Sequence, residues 1–154
     1  MVIRILIATV VLATLVACGP GPDSKSGGDG FRHQAKPLQF NEWVTDEDGI
    51  NYSKGDRTDW KKLVVSRRGT LFIRISCDNK KAFISAALYN KYGKRLIEKS
   101  KKKGFTDHIR FEGEVMPGNY FLRIYARKSR DKTVYSIIAS MEGEAGVGDI
   151  PRPE

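Results

Sequence analysis

From residue 60 to residue 141, apolar and polar residues alternate in short runs separated by Gly, Asn, Asp, Pro and Lys. A period of two predicts strands rather than helices. The runs cover residues 60–66, 70–77, 82–90, 108–115, 119–127 and 133–141, with 94–99 as a short seventh. Turn formers lie where the pattern breaks: Arg68-Gly69, Asp78-Asn79, Tyr92-Gly93-Lys94 and Pro117-Gly118-Asn119. Side chains alternate across a strand. One face therefore collects Leu71, Ile73, Ile75 and Cys77, then Ile84, Ala86 and Leu88, then Ile109 and Phe111, then Tyr120, Leu122, Ile124 and Ala126. These residues are the expected core of an all-β domain. Nothing longer than one turn reads as a helix.

Ahead of the domain the pattern differs. Residues 5–17 form an apolar run that follows Arg4 and carries no other charge. The run is shorter than the roughly 20 residues that span a bilayer, and its shape is that of an export signal. It ends in Leu15-Val16-Ala17-Cys18-Gly19, which resembles the lipobox of bacterial lipoproteins. The resemblance implies diacylglyceryl transfer to Cys18, cleavage before it and acylation of the new amino group. Several acyl chains, at about 0.8 kcal/mol per buried CH2, would hold the mature chain on a membrane. Gly19 in place of Asp resembles the signal for the outer rather than the inner membrane in enteric bacteria.

Residues 19–30 are Gly, Pro, Ser, Asp and Lys with no apolar residue, which suits a flexible tether. Residues 31–40 are polar and irregular, and 41–51, with Trp43, Val44 and Ile50 around an acidic turn, read as a first strand or as a strap laid on the domain. The expected organisation is a leader at 1–17, a lipidated Cys18 and tether at 18–40, a β-sandwich at 41–142 and a disordered tail at 143–154.

Charge narrows the partners only slightly. The chain of 154 residues has 27 Lys and Arg against 18 Asp and Glu, and Arg4 is the only charge in the leader, so 26 against 18 remain after cleavage. Such a basic exported chain suits anionic lipid head groups, acidic polysaccharide or, least expected, nucleic acid. With Cys18 lipidated, Cys77 has no disulfide partner, and its place in the alternation puts it in the core.

The order of motifs carries a further resemblance. Asp56-Arg57-Thr58-Asp59-Trp60, Gly69-Thr70-Leu71-Phe72-Ile73-Arg74-Ile75, the run from Ala87 to Lys94, Met116-Pro117-Gly118-Asn119-Tyr120-Phe121-Leu122-Arg123-Ile124 and Tyr135-Ser136-Ile137-Ile138 together resemble the bacterial pre-peptidase C-terminal domain. That family includes relatives of collagenase collagen-binding modules, and the match spans about residues 56–142. It implies a jelly-roll-like antiparallel β-sandwich without catalytic residues, usually appended to secreted enzymes. Departures are the absence of a joined peptidase, a Lys-rich insert at 99–103, and Asn119 where the family often has Thr or another small residue. Physically, Asp56 and Asp59 suit acceptors for backbone N–H groups at the turn. Trp60 suits closing one end of the core with its indole N–H on a carbonyl, and Tyr120 suits the core face.

His33 and His108 lack neighbouring nucleophile or metal-ligand patterns and no Gly-x-Ser-x-Gly occurs, so no enzymatic activity and no obligatory cofactor are expected. Calcium is the better chemical candidate. Asp46, Glu47, Asp48 and Asn51 offer hard oxygens just ahead of Asp56 and Asp59, and Ca2+ takes about 6 to 8 of these. The collagen-binding relatives bind calcium near the leading edge, which makes Asp46, Asp48, Asn51 and Asp56 the candidate ligands. The spacing is not that of an EF-hand, and the alternative is a solvated acidic turn.

Two basic features stand out. Lys91, Lys94, Arg95, Lys99, Lys101, Lys102 and Lys103 read as a solvated loop that discourages edge pairing. Arg123, Arg127, Lys128, Arg130 and Lys132 surround the last hairpin. There, Phe121, Arg123, Tyr125 and Arg127 alternate opposite Leu122 and Ile124, an outward stripe of rings and guanidinium groups that suits sugars or a docked protein. The alternative is that the stripe merely covers one sheet, with Arg stems packed on rings. The expected function is that of a non-catalytic envelope lipoprotein whose sandwich binds an envelope protein assembly or a surface polysaccharide. The alternative is an accessory or polymer-binding module serving a separately encoded secreted hydrolase.

Overall fold

The computed structural model describes residue 23 and residues 25–101, 104 and 108–143. The leader, Cys18, Lys102, Lys103 and the tail from residue 144 lie outside these residues. The seven alternating runs become β3 (Thr58–Val65), β4 (Gly69–Cys77), β5 (Ile84–Asn90), β6 (Arg95–Lys101), β7 (His108–Val115), β8 (Gly118–Ala126) and β9 (Lys132–Met141), and β1 (Lys36–Pro37) and β2 (Val44–Asn51) precede them, nine strands among the described residues. They form a five-stranded sheet in the order β1-β3-β8-β5-β6 and a four-stranded sheet in the order β2-β9-β4-β7. Every pairing is antiparallel except β1 on β3. The result is the expected all-β sandwich.

The core lies between the sheets. Every residue of the expected core face is buried in it, joined by Leu63 and Val65 of β3 and by Ile137, Ala139 and Met141 of β9. A fully buried Leu, Ile, Val, Phe or Met side chain there contributes about 1.5–3 kcal/mol. Cys77 is 1% exposed, within the core. Tyr120 also faces inward, and its hydroxyl donates to the Met116 carbonyl at 3.0 Å, closing the turn at Pro117.

The N-terminal boundary differs from expectation. Residues 29–40 are laid on the sandwich rather than forming a tether. The Asp29 carbonyl accepts the Trp60 N–H at 2.8 Å, and the Leu38 N–H reaches the Lys62 carbonyl at 2.8 Å. Leu38 is 4% exposed. The segment follows the otherwise free edge of β3 and then crosses to the second sheet, where Phe40 bridges Ala139. Covering that edge satisfies backbone groups that would otherwise invite pairing with another chain. Residues 44–51 are a true strand on β9, with a shift of register between Asp46 and Ile50. Gly49 makes the shift possible: its φ is +57°, and a Cβ there would sit 2.3 Å from the Thr133 carbonyl oxygen.

Lys101 departs from the solvated loop in which its neighbours were placed. It ends β6 with no exposed surface. Its ammonium donates to the carbonyls of Asn79, Lys80 and Ala82 at 3.0, 2.9 and 2.8 Å, which fixes the turn before β5.

Candidate binding face

The outer side of the five-stranded sheet gathers residues from four strands. Pairing sets Trp60 of β3 opposite Arg123 of β8 and Lys62 opposite Phe121. Pairing with β5 sets Tyr89 opposite Phe121, Ala87 opposite Arg123 and Ser85 opposite Tyr125. Glu98 of β6 lies beyond Ala87. The four expected residues Phe121, Arg123, Tyr125 and Arg127 thus share one face, and two further rings flank them. Trp60 and Tyr89 approach across Phe121's row, with centroids 5.3 Å apart and planes tilted by 46°.

Arginines interleave these rings. The Arg123 guanidinium lies 4.5 Å from the Tyr125 centroid and 5.9 Å from Trp60, and Arg127 lies 5.1 Å from Tyr125. Arg32, from the strap, covers Phe121 at 5.3 Å. Polar contacts hold the arrangement in place. Arg127 Nε donates to Ser85 Oγ at 2.8 Å and Nη2 to Glu98 at 3.0 Å, while Tyr125 donates its hydroxyl to the same carboxylate. Glu98 is held below the usual carboxylate range by that hydroxyl first, then by the charges of Arg95 and Arg127. Burial and the Glu98 carboxylate push the Tyr125 phenol up.

Trp60 is a correction. It was expected to cap the core, yet the alternation of β3 turns Asp59, Lys61, Leu63 and Val65 inward and leaves Trp60 half-buried on the outer face. The inward side of β3 instead carries a buried polar cluster. Lys61, 4% exposed, donates to Asp29 at 2.7 Å and to Asp46 at 2.5 Å. Tyr135 of β9 donates its hydroxyl to Asp59 at 2.5 Å and to Asp46 at 3.2 Å.

Electrostatics divide this cluster into charged and neutral members. Burial alone would raise Asp46, but the hydrogen bond and charge of Lys61, the Gly49 N–H and Lys36 more than reverse it, so its pKa is lowered. Burial works against the Lys61 ammonium, yet Asp29 and Asp46 raise its pKa overall. Asp59 is pushed up to about 8, chiefly by burial and with Asp29 adding to it, against the Tyr135 hydrogen bond. Asp56 is raised to about 7 by burial and by the charges of Asp29 and Asp46. Burial and the neighbouring carboxyls of Asp59 and Asp46 hold the Tyr135 phenol well above its usual value.

The calcium ligands expected from sequence are not gathered. Among the described residues, the carboxylates within metal-holding distance of one another are Asp29, Asp46 and Asp59, without Asp48 or Asp56. The Lys61 ammonium is bonded to two of these three. Nor do Asp56 and Asp59 cap the turn as expected: Asp59 bonds Tyr135, and Asp56 Oδ1 is buried without a partner. His33 lies in a short 3-10 turn, stacked on Phe31 at 5.8 Å, and His108 opens β7.

In three dimensions the chain is similar to the pre-peptidase C-terminal domain of a collagenase from Bacillus anthracis, at 18% identity and a TM-score of 0.56, covering 68% of this chain and 93% of that one. It also matches a family 35 carbohydrate-binding module from an environmental isolate, at 10% identity and a TM-score of 0.44 over 71% of this chain and 81% of that one. No known family profile matches the chain, and no curated protein is similar to it in sequence. The collagenase domain establishes the likeness of fold that the sequence motifs implied.

Proposed function

We propose that the chain is a non-catalytic binding module of the bacterial envelope, anchored in the outer membrane by lipid on Cys18. Its partner, an envelope protein assembly or a surface polysaccharide, docks on the outer face of the five-stranded sheet. The observation that carries this reading is the joining of Trp60, Tyr89, Phe121 and Tyr125 with Arg123 and Arg127 on one sheet surface. Rings offer large rigid contact area, and the Arg127 guanidinium, already fixed by Glu98 and Ser85, loses little freedom on binding. Calcium is not assigned to this face.

A second reading draws on the fold it shares with a collagenase domain. The module would then present polymer to a separately encoded secreted hydrolase. The test compares wild type with Arg123→Glu/Arg127→Glu, by crosslinking on intact cells and by co-sedimentation of the purified chain with cell-wall sacculi and envelope polysaccharide. Loss of capture with an unchanged melting curve supports the face, and normal capture by the variant overturns it. Capture of membrane proteins without sedimentation favours the assembly, whereas sedimentation with polymer favours the accessory role. Cys18→Ala should release the chain from the membrane fraction.

A further inference from the structure

At one end of the sandwich the turn before β5 meets the β8–β9 hairpin, and between them lies a cleft of about 740 Å3. Lys81, Phe83, Lys128 and Arg130 line it together with Asn79 and Asp131. Both walls are fixed from behind by buried polar side chains. One is Lys101, which holds the carbonyls of Asn79, Lys80 and Ala82. The other is Asp131, 5% exposed, whose carboxylate accepts the Phe83 N–H at 2.8 Å and the Lys128 N–H at 2.7 Å.

The acid of this cleft is therefore spent on backbone, while its cations stay available. Among the described residues, Lys81, Lys128 and Arg130 form no ion pair. Asp48 and Asp78 line the adjoining hollow of about 310 Å3 and not this one. Lys101 adds a further positive charge behind the wall, so cations outnumber the single carboxylate of Asp131, and a concave site with such an excess concentrates counter-ions. Phe83 contributes a half-buried ring flanked by Lys128 at 5.7 Å and Arg127 at 5.9 Å.

We infer that the cleft binds an anionic sugar, with its carboxylate or phosphate on Lys81, Lys128 and Arg130 and its apolar ring face on Phe83. The volume is that of a small-molecule site rather than of a bare-ion site. None of the exposed large apolar residues, Phe31, Val64, Tyr92, Leu96 and Met116, lines it, and Phe83 supplies its aromatic surface. Fixed walls also mean that little backbone must be ordered when the ligand arrives. The site is distinct from the outer face, although Arg127 borders both.

Calorimetric titration of the full chain in detergent micelles tests this, with trigalacturonate, glucose 6-phosphate and neutral galactotriose as probes. At least one anionic sugar should bind, more weakly as salt rises, and galactotriose should not. Lys128→Gln/Arg130→Gln alters two exposed side chains and should weaken binding about tenfold. Phe83→Leu should weaken the sugar while leaving the fold intact. Tyr92→Ala, at an exposed turn outside both sites, should leave the titration unchanged. Whichever anionic probe binds identifies carboxylate or phosphate as the ligand group. Binding of neither at millimolar concentration, equal binding of galactotriose, or wild-type affinity in the double variant overturns the inference. None of these results bears on the outer face.

Discussion

Replacing Asp59 with Asn isolates the charge balance of the buried cluster. Four carboxyls, Asp29, Asp46, Asp56 and Asp59, are buried or half-buried around one buried ammonium, Lys61. Lys61 pairs with Asp29 and Asp46, Lys36 also reaches Asp29 at 3.4 Å, and Asp56 and Asp59 keep their protons to higher pH than free carboxyls. Asp59 holds its proton to about 8 in the folded chain against a value of 3.8 without the protein's influence. Between those values the folded state binds a proton that the unfolded state has released. Stability therefore falls as pH rises through this window and levels off above about 8. At about 1.4 kcal/mol per pH unit, the loss for a group 2% exposed is on the order of 5 kcal/mol. Asp56, raised to about 7, acts in the same direction.

Asparagine at 59 keeps an oxygen for the Tyr135 hydroxyl and has no proton to lose. Asp59→Asn should match wild type near pH 4 and exceed it by on the order of 5 kcal/mol at pH 9. Urea unfolding followed by tryptophan fluorescence, at unit steps of pH from 4 to 9, measures the difference. Wild-type stability that is flat or rising between pH 5 and 8 would refute the reasoning, as would a variant that declines in parallel with wild type.

Three more outcomes follow from the same contacts. Lys61→Met strands Asp29 and Asp46 without their ammonium and should cost about 3–5 kcal/mol in urea unfolding. Adding Asp29→Asn and Asp46→Asn should recover most of it, and a single variant as stable as wild type would contradict the pairing. Lys101→Met leaves three carbonyls of the turn before β5 without their donor. It should cost about 1–3 kcal/mol, with faster hydrogen exchange at residues 79–83 as the local readout. Gly49→Ala forces a methyl against the Thr133 carbonyl at a positive φ and should lower stability by about 1–3 kcal/mol. Calorimetry should then show a melting temperature lower by roughly 5–15 °C.

The sandwich core was legible because a period of two assigns faces without knowledge of which strands are neighbours. Phe121, Arg123 and Tyr125 were placed outward by the same rule, each being flanked in sequence by Leu122 or Ile124. Trp60 and Tyr89 were not, because their meeting with that stripe depends on the order β3-β8-β5, which joins strands distant in sequence. In β3 the rule was obscured by chemistry: the inward positions begin with Asp59 and Lys61, and what makes Lys61 tolerable inside is Asp29, 32 residues away in a segment of linker-like composition. Lys101 was hidden for a related reason. It lies beside Lys102 and Lys103, and its partners are backbone carbonyls, which leave no mark in a sequence. The strap offered only Leu38 and Phe40 as apolar anchors and is held mainly by main-chain hydrogen bonds.

With lipid on Cys18 as proposed, the N-terminal segment would also set how the molecule hangs from a membrane. Asp23 already accepts the Arg57 N–H at 3.2 Å, so the chain joins the domain five steps after Cys18. The leash is then at most about 17 Å long at 3.3–3.6 Å per residue. The module would ride against the head groups with the β1 edge turned toward them, and a pull from a captured partner would load β1, Asp29 and Lys61 in shear along β3 before reaching the core. Grip on the envelope and integrity of the sandwich would then depend on the same few side chains.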